Sequence, residues 1–294
     1  MNLIMDFNMN MTNRKLGVVL CCLMAVASCQ KESQDVSFDN EISTVLSDDE
    51  ICFSSMDVDT RADVTSLSSF NVMCITGTMG SSETSQFNKQ FSKSGSYYYG
   101  SKYWPSSDAK YGFYASNNTI TAASNGAYVS ASNSTDVVVA YRAYNASDYK
   151  QTIGLTFNHI FAKLGYCKVS APSGYSVSGL SVKMTPYVSG YYKIYSGTWS
   201  SKSAGSQSTL TTSLNSTASA GTYVVPGTYT LTLAYTLSKD SYTEAFSKSV
   251  SVTLVAGKTN NIVLNLPDGN SSGAPDGGVV IDPWEGGGNV DEGM

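Results

Sequence analysis

The segment Thr230-Leu-Thr-Leu-Ala-Tyr-Thr-Leu237 largely alternates apolar with hydroxylated side chains. A period of two places the two kinds of side chain on opposite faces of an extended chain, which is typical of a half-buried β-strand. The segment Asp136-Val-Val-Val-Ala-Tyr141 has the same β-branched and aromatic character. Both segments therefore predict β-strands.

Similar short runs follow one another along the chain, separated by clusters of Gly, Ser, Asn and Pro. Two neighbouring runs, Thr230–Ser238 and Tyr242–Val250, predict a hairpin that is closed at Lys239-Asp240-Ser241. The complete set of predicted strands is Ile51–Ser54, Phe70–Thr76, Phe87–Phe91, Lys110–Ala115, Asp136–Tyr144, Gln151–Phe157, Leu164–Ser170, Gly179–Thr185, Gly190–Tyr195, Ser208–Leu214, Thr228–Leu237, Glu244–Val255 and Asn260–Leu266.

So many strands exceed what one small sandwich needs, so the sequence predicts an all-β protein of two tandem antiparallel β-sandwiches. The one segment with the character of a short helical turn, Phe157–Leu164, lies near the middle of the chain and marks the expected boundary. The predicted domains are residues 49–157 and 158–266. A Gly-rich tail follows at 267–294, and it contains a short apolar island, Val279–Trp284.

The composition excludes one class of partner. Charged residues make up 14% of the chain, against roughly 25% in an average soluble protein. Lys and Arg number 18 and Asp and Glu 23, which gives a net charge of -5. A mildly acidic chain without a basic stripe lacks the electrostatic footprint of a nucleic-acid binder. We therefore expect no nucleic-acid partner.

The N-terminus has the pattern of a secretory signal. Asn13-Arg14-Lys15 precedes the apolar run Leu16–Ala27, which is shorter than the roughly 20 residues that a membrane-spanning helix needs. A start at Met11 instead of Met1 would make the signal compact, and the sequence leaves both starts open.

The signal ends in Ala27-Ser28-Cys29, small residues directly before a cysteine. This arrangement resembles the lipobox of bacterial lipoproteins, in which the cysteine is acylated, with palmitate among its acyl chains, and becomes the first residue of the mature chain. The resemblance implies a signal peptide over 1–28, a lipid on Cys29, a polar tether over 29–48 and anchoring in the outer membrane at the cell surface. The alternative is ordinary cleavage near Ala27 with an incidental cysteine.

A search for catalytic chemistry gives no enzyme and no cofactor. His159 is the only histidine, and its apolar neighbours predict a structural residue whose nitrogens bond to backbone or hydroxyl groups. The pattern Gly269-Asn-Ser-Ser-Gly273 matches a nucleophile elbow but lacks the strand and helix that the motif needs. No cluster has metal-ligand spacing, and Asp57-Val-Asp59 lacks the glycine and glutamate of a calcium loop.

Three cysteines remain for the folded part of the chain: Cys52, Cys74 and Cys167. An odd number cannot form a complete disulfide framework. We expect these three residues to be buried thiols that behave as small hydrophobic side chains.

The tyrosine-rich segment Tyr97–Pro105 admits two interpretations. Aromatic faces can stack on the C–H surfaces of sugars, so Tyr97, Tyr99, Tyr103 and Trp104 are a candidate glycan platform. The other interpretation places alternate rings in a sandwich core and the remainder at its rim.

Several segments, in a fixed order and spacing, resemble the fimbrillin family, also called Mfa-like, of Bacteroidetes surface lipoproteins and type V pilus subunits. The resemblance covers about residues 45 to 290 and implies a fold of two transthyretin-like β-sandwiches. The segments that carry it are Cys29, Ile51–Phe53, Asp59–Ala62, Tyr103–Pro105, Tyr111–Ala115, Asp136–Ala140, Leu155–Leu164, Val252–Leu266 and Ile281–Trp284.

The resemblance also implies a mechanism of assembly. An Arg-specific protease would cut the bond Arg61–Ala62 and release the strand that contains Ile51 and Phe53. A sheet that loses a strand exposes unpaired backbone groups and an apolar groove. An extended segment of a neighbouring subunit can fill that groove by strand addition, and repetition gives a filament.

The expected donor lies near the C-terminus, at Val279, Ile281 and Trp284. Pro283 departs from the pattern of a long donor strand because proline removes a ladder hydrogen bond. Release of the first strand also requires that Cys52 and Cys74 are not bridged.

The leading prediction is a fimbrial structural or adhesive subunit in a fimbrium at the cell surface, with other pilus subunits and the outer membrane as partners. A host or bacterial surface ligand is a further partner under this prediction. The first alternative is an uncleaved, lipid-anchored adhesin or pilus anchor. The second is a surface glycan-binding lipoprotein.

Overall fold

The computed structural model describes residues 49–54, 67–107, 109–268 and 276–283. Regular structure in these ranges is β, apart from one 3-10 turn at Ala146–Asp148. No helix within the described ranges has the length and apolar character needed to cross a membrane. The prediction of an all-β protein is confirmed.

The strands are numbered in chain order. Their bounds are β1 Glu50–Ser54, β2 Ser69–Thr78, β3 Ser82–Ser94, β4 Tyr97–Tyr103, β5 Tyr111–Ser116, β6 Ile120–Thr121, β7 Tyr128–Ser132, β8 Val138–Tyr144, β9 Asn158–His159, β10 Ala162–Ser170, β11 Ser176–Met184, β12 Tyr187–Lys193, β13 Thr198–Ala204, β14 Ser208–Thr211, β15 Tyr223–Val224, β16 Gly227–Lys239, β17 Tyr242–Leu254, β18 Lys258–Asn265 and β19 Asp276–Pro283.

The N-terminal part is a seven-stranded antiparallel sheet in the order β1-β4-β3-β2-β5-β8-β9. The chain before β9 returns to the outer edge of β1. There the Ile153 N–H donates to the Cys52 carbonyl at 3.0 Å, and the Ser54 N–H donates to the Ile153 carbonyl at 3.1 Å. The two edges of the sheet are therefore linked through this segment, around a core that includes Phe70 and Phe113.

The C-terminal part has two four-stranded sheets, ordered β15-β10-β18-β19 and β14-β11-β16-β17. Apolar side chains such as Val182, Leu233 and Leu264 fill the core between their strands. The predicted hairpin is confirmed, since β16 and β17 pair from Gly227↔Leu254 to Lys239↔Tyr242. One pair departs from the expected antiparallel arrangement, because β10 and β18 run parallel.

A fourth sheet, ordered β13-β12-β7-β6, joins the two parts. Strands β7 and β12 lie on opposite sides of residue 157 in the sequence, yet they pair from Ser189↔Ser132 to Lys193↔Tyr128. A third core lies beneath this sheet, with Met73 and Tyr114 from the N-terminal part and Phe161 and Val225 from the C-terminal part. The predicted domain boundary at residue 157 stays a prediction. A boundary there would place the hydrogen-bonded strands β7 and β12 in different domains.

The predicted helical turn at Phe157–Leu164 is wrong. The segment is extended, with Asn158–His159 in β9 and Ala162 at the start of β10. Its apolar residues serve three different cores: Phe157 the N-terminal core, Phe161 the third core and Leu164 the C-terminal core. An extended chain can reach all three, whereas a single helical turn would present one face to one core.

The third core generates a stability prediction. Phe161 is fully buried and contacts Trp199 and Tyr223, at ring-centroid distances of 5.1 and 6.5 Å. Phe161→Ala should lower the free energy of unfolding by about 3–5 kcal/mol, because it removes a buried ring and leaves a cavity in its place. Urea unfolding followed by tyrosine fluorescence and circular dichroism measures this change.

Tyr103→Ala is the control for that measurement, since Tyr103 is exposed and its loss should change the free energy by less than about 0.5 kcal/mol. The shared sheet also leads us to expect one cooperative transition in the unmodified protein. Two separate transitions would contradict the coupling.

Candidate functional site

The first strand, β1, lies in a groove between β4 and Ile153. This groove is called the β1 seat. On the β4 side it pairs antiparallel, with Cys52 opposite Tyr99 and Ser54 opposite Tyr97, and the register shifts near Glu50. The bonds to Ile153 lie on the other edge. Because both edges bond to backbone groups, removal of β1 would leave a row of unpaired groups on β4 and an unpaired N–H and C=O at Ile153.

The side chains of β1 fill an apolar pocket. Ile51 and Phe53 are fully buried in the N-terminal core. The Phe53 ring meets Phe70, Phe91 and Phe113 edge to face, at centroid distances of 5.7, 5.0 and 5.7 Å. Departure of β1 would therefore uncover a groove whose floor is three phenylalanine rings.

Polar contacts hold the start of β1. The Ser101 N–H donates to the Glu50 carboxylate at 2.9 Å, and the Trp104 N–H donates to the Asp49 carbonyl at 3.0 Å. Lys150 forms an ion pair with the Asp49 carboxylate at the surface. A surface ion pair adds little energy, so the apolar side chains, the β4 ladder and the two bonds to Ile153 account for most of the attachment of β1.

The thiols are compatible with release of β1. Cys52, Cys74 and Cys167 are buried and none forms a disulfide. The Cys52 sulfur lies 3.6 Å from the Thr152 hydroxyl, beside the Ile153 edge. Burial raises the pKa of Cys74 and that of Cys167 to about 12, so these two thiols stay protonated at neutral pH.

His159 lies in a buried contact with Asp136. Its Nδ1 is 2.7 Å from the Asp136 carboxylate, and both side chains are almost fully buried. The expectation of a structural histidine with backbone or hydroxyl partners missed this carboxylate. The two residues are 23 positions apart, and the antiparallel pairing of β8 and β9, with Val138 opposite His159, brings them together. The contact joins β9 to the residue pair just before β8.

No metal site accompanies this pair. Within the described part of the chain, no three His, Cys, Asp or Glu side chains come close enough together to hold a metal ion.

The predicted glycan platform is only partly at the surface. Trp104 is buried and packs edge to face on Tyr111 and Phe113. It follows the end of β4 and turns into the core, so it cannot stack on a ligand. Tyr103 is 52% exposed, while Tyr97 and Tyr99 are half-buried with ring centroids 6.3 Å apart. These tyrosines lie on β4, opposite Ser54, Cys52 and Glu50 of β1, and their role in binding a glycan stays a prediction.

The predicted donor region contains a regular strand. β19 pairs antiparallel with β18 over its whole length, from Asn265↔Asp276 to Lys258↔Pro283, and it is the edge strand of its sheet. Val279 lies opposite Ile262 and Ile281 opposite Asn260. Pro283 occupies the last pair, where a missing N–H is tolerated.

Several predicted positions lie outside the described residues. They are the lipidation residue, the cleavage bond, the final donor residue, the elbow-like motif and the calcium-like fragment: Cys29, Arg61, Ala62, Trp284, Gly269–Gly273 and Asp57–Asp59.

Solved structures share this fold. A fimbrial protein from Bacteroides vulgatus matches with a TM-score of 0.53 and 15% sequence identity, covering 79% of this chain and 99% of that one. A candidate cell adhesion protein from Parabacteroides distasonis matches with a TM-score of 0.52 and 9% identity, covering 81% and 97%. At such low identities the likeness concerns the fold alone.

Comparison with curated protein sequences gives no match. A family model does match: the model described as fimbrillin-like aligns with residues 60–284. That range includes all of β2 to β19 and so nearly all of the folded part described above. The resemblance stated from the sequence is thereby confirmed, and the chain belongs to the fimbrillin-like family.

Proposed function

We propose that this protein is a fimbrial structural or adhesive subunit, exported as a lipoprotein through Cys29, cut at Arg61–Ala62 and assembled by strand exchange. Membership of the fimbrillin-like family supports a role as a pilus subunit or adhesin, at the cell surface or within a fimbrium. Lipidation of Cys29, cleavage at Arg61–Ala62 and strand exchange go beyond family membership and are the substance of the proposal.

The observation that carries the proposal is the seat of β1. This strand is bonded on both edges and Phe53 is held by three rings, so its loss would create a groove that a new strand can fill. Residues 55–66 connect β1 to the rest of the chain, and Arg61 lies among them. A cut after Arg61 would leave β1 attached by non-covalent contacts alone.

The distribution of arginine supports a single cut. Beyond the predicted signal the sequence has two arginines, Arg61 and Arg142. Arg142 lies within β8 and pairs with Phe113 of β5. A protease must draw an extended segment into its cleft, and the β8 ladder opposes that movement. An Arg-specific protease would therefore act at Arg61.

β19 has suitable properties for a donor strand. It has eight residues against five in β1, so it could span the seat. Val279 and Ile281 are two positions apart, as Ile51 and Phe53 are, and residues at this spacing lie on one face of a strand. Trp284, the third predicted donor residue, lies outside the described residues. We therefore expect Val279 and Ile281 to fill the groove.

Exchange would join subunits head to tail. The seat lies in the N-terminal sheet and β19 at the edge of a C-terminal sheet, so donor and acceptor are different surfaces of the molecule. A contact between two different surfaces that does not close on itself propagates as a filament.

The first test is limited proteolysis of the purified protein with an Arg-specific protease. We expect one cut, a new N-terminus at Ala62 and the appearance of oligomers on size-exclusion chromatography, because the vacated seat recruits a strand. Arg61→Ala should abolish both the cut and the oligomers, whereas Arg142→Ala is the matched control and should behave as the unmodified protein.

A cut at Arg61 that leaves a stable monomer would contradict strand exchange, and a monomer that resists the protease would favour an uncleaved anchor or adhesin. A first cut at Arg142 would contradict the protection of β8.

The second test is competition by a peptide of residues 49–54. This peptide should block oligomer formation by the cut protein, because it carries the side chains that fit the seat. Replacing Phe53 by Ala in the peptide should weaken inhibition by about 100-fold, since loss of a buried phenylalanine ring costs about 3 kcal/mol or more. Replacing Glu50 by Gln is the control and should change inhibition little. Equal inhibition by the Phe53→Ala peptide would show that assembly does not use the seat.

A further inference from the structure

The joining sheet β13-β12-β7-β6 has one face on the third core and one face towards solvent. Val129, Ala131 and Tyr192 point inwards, since they belong to that core or pack on it. Alternation then places Tyr128, Ser130 and Tyr191 on the outer face. Their exposures agree: Ser130 is exposed, Tyr128 is half-buried and Tyr191 is 44% exposed.

Aromatic and hydroxyl side chains stand in register on this outer face. Tyr191 lies between Ser130 on β7 and Ser200 on β13, and the next row places Lys193 between Tyr128 and Thr198. The rings of Tyr128 and Tyr191 are 5.3 Å apart at 78°.

The outer face of the joining sheet carries positive charge, although the protein as a whole is acidic. The sequences of the four strands contain no Asp or Glu, but they contain Lys193 and Lys202. The Lys202 ammonium lies 4.9 Å from the centre of the Tyr187 ring. The whole chain carries a net charge of -5, so this local excess of positive charge is a property of the sheet and not of the overall composition.

We propose that the outer face of the joining sheet binds an acidic saccharide. Tyrosine rings offer flat apolar faces to the C–H surfaces of a sugar ring, serine hydroxyls can exchange hydrogen bonds with sugar hydroxyls, and the two lysines pair with carboxylate or sulfate groups. The binding groups are Tyr128, Tyr191, Ser130, Lys193 and Lys202. The ligand is a chain of pyranose rings that carries regular negative charges.

A second copy of this protein fits the face less well. Protein interfaces are depleted of lysine, whereas this face carries Lys193 and Lys202, and two facing copies would bring these like charges together. The saccharide needs neither the cut at Arg61 nor strand exchange, because no residue of β1, β4 or β19 belongs to the joining sheet.

The test is binding of the uncut protein to chondroitin sulfate and to polygalacturonate by biolayer interferometry, with neutral dextran and polyglutamate as comparison ligands. We expect binding to both acidic saccharides, weaker binding to dextran and to polyglutamate, and a decline with added salt. Tyr191→Ser should weaken saccharide binding at least about tenfold, on the scale of an aromatic hot spot. The double variant Lys193→Gln, Lys202→Gln should also weaken it and remove most of the salt dependence.

Tyr195→Ser is the matched control. Tyr195 is 45% exposed and its ring is paired with Tyr141 at 5.2 Å, but it lies against Gly80 beyond the end of β12. Its replacement should leave binding unchanged, and circular dichroism with urea unfolding should show that every variant is folded.

Four results would overturn the proposal. They are failure of both acidic saccharides to bind, an equal loss with Tyr195→Ser, polyglutamate binding as tight as saccharide binding, and dissociation of a dimer by Tyr191→Ser, which would identify the face as an interface between copies. None of these results would bear on cleavage at Arg61, so the two proposals fail separately.

Discussion

The burial of Phe53 among three other phenylalanine rings is the contact on which the N-terminal sheet depends. β1 is only five residues long, too short for its own backbone bonds to hold it firmly. It is nevertheless enclosed, because β4 bonds one edge and Ile153 the other. β1 is short and its apolar side chains are fully buried, and residues 55–66 connect it to the strands that follow. This combination suits the proposed cleavage after Arg61 and release of β1.

The edge of the β1 seat at Ile153 lies on the same segment as a buried side-chain contact. Ile153 lies on a segment with little regular structure of its own, and the buried contact between His159 and Asp136 joins the end of that segment to the residue pair just before β8. We interpret this contact as one that holds β9 beside the start of β8.

Much of the fold could be predicted from the sequence, because alternation along segments such as Thr230–Leu237 reports directly on one buried face. The hairpin of β16 and β17 followed from the same signal. The strand β4 could not be found in this way, since three successive tyrosines, Tyr97 to Tyr99, show no alternation. The segment around Phe161 was assigned wrongly because a chain that crosses between three cores is apolar on every side. The β1 seat was predicted through family resemblance, but its second edge at Ile153 and the partner of His159 depend on pairings that no local pattern encodes.

The ladder between β7 and β12 has a mechanical consequence. In a chain of subunits linked from the seat of one molecule to the C-terminal strand of the next, tension enters through the N-terminal sheet and leaves through the C-terminal sheets. The antiparallel bonds from Ser189↔Ser132 to Lys193↔Tyr128 would then connect the two ends, together with the buried rings beneath them. If subunits assemble by the proposed strand exchange, the joining sheet would carry the load between the two parts of each subunit, and pulling those parts from one another would require this ladder to break.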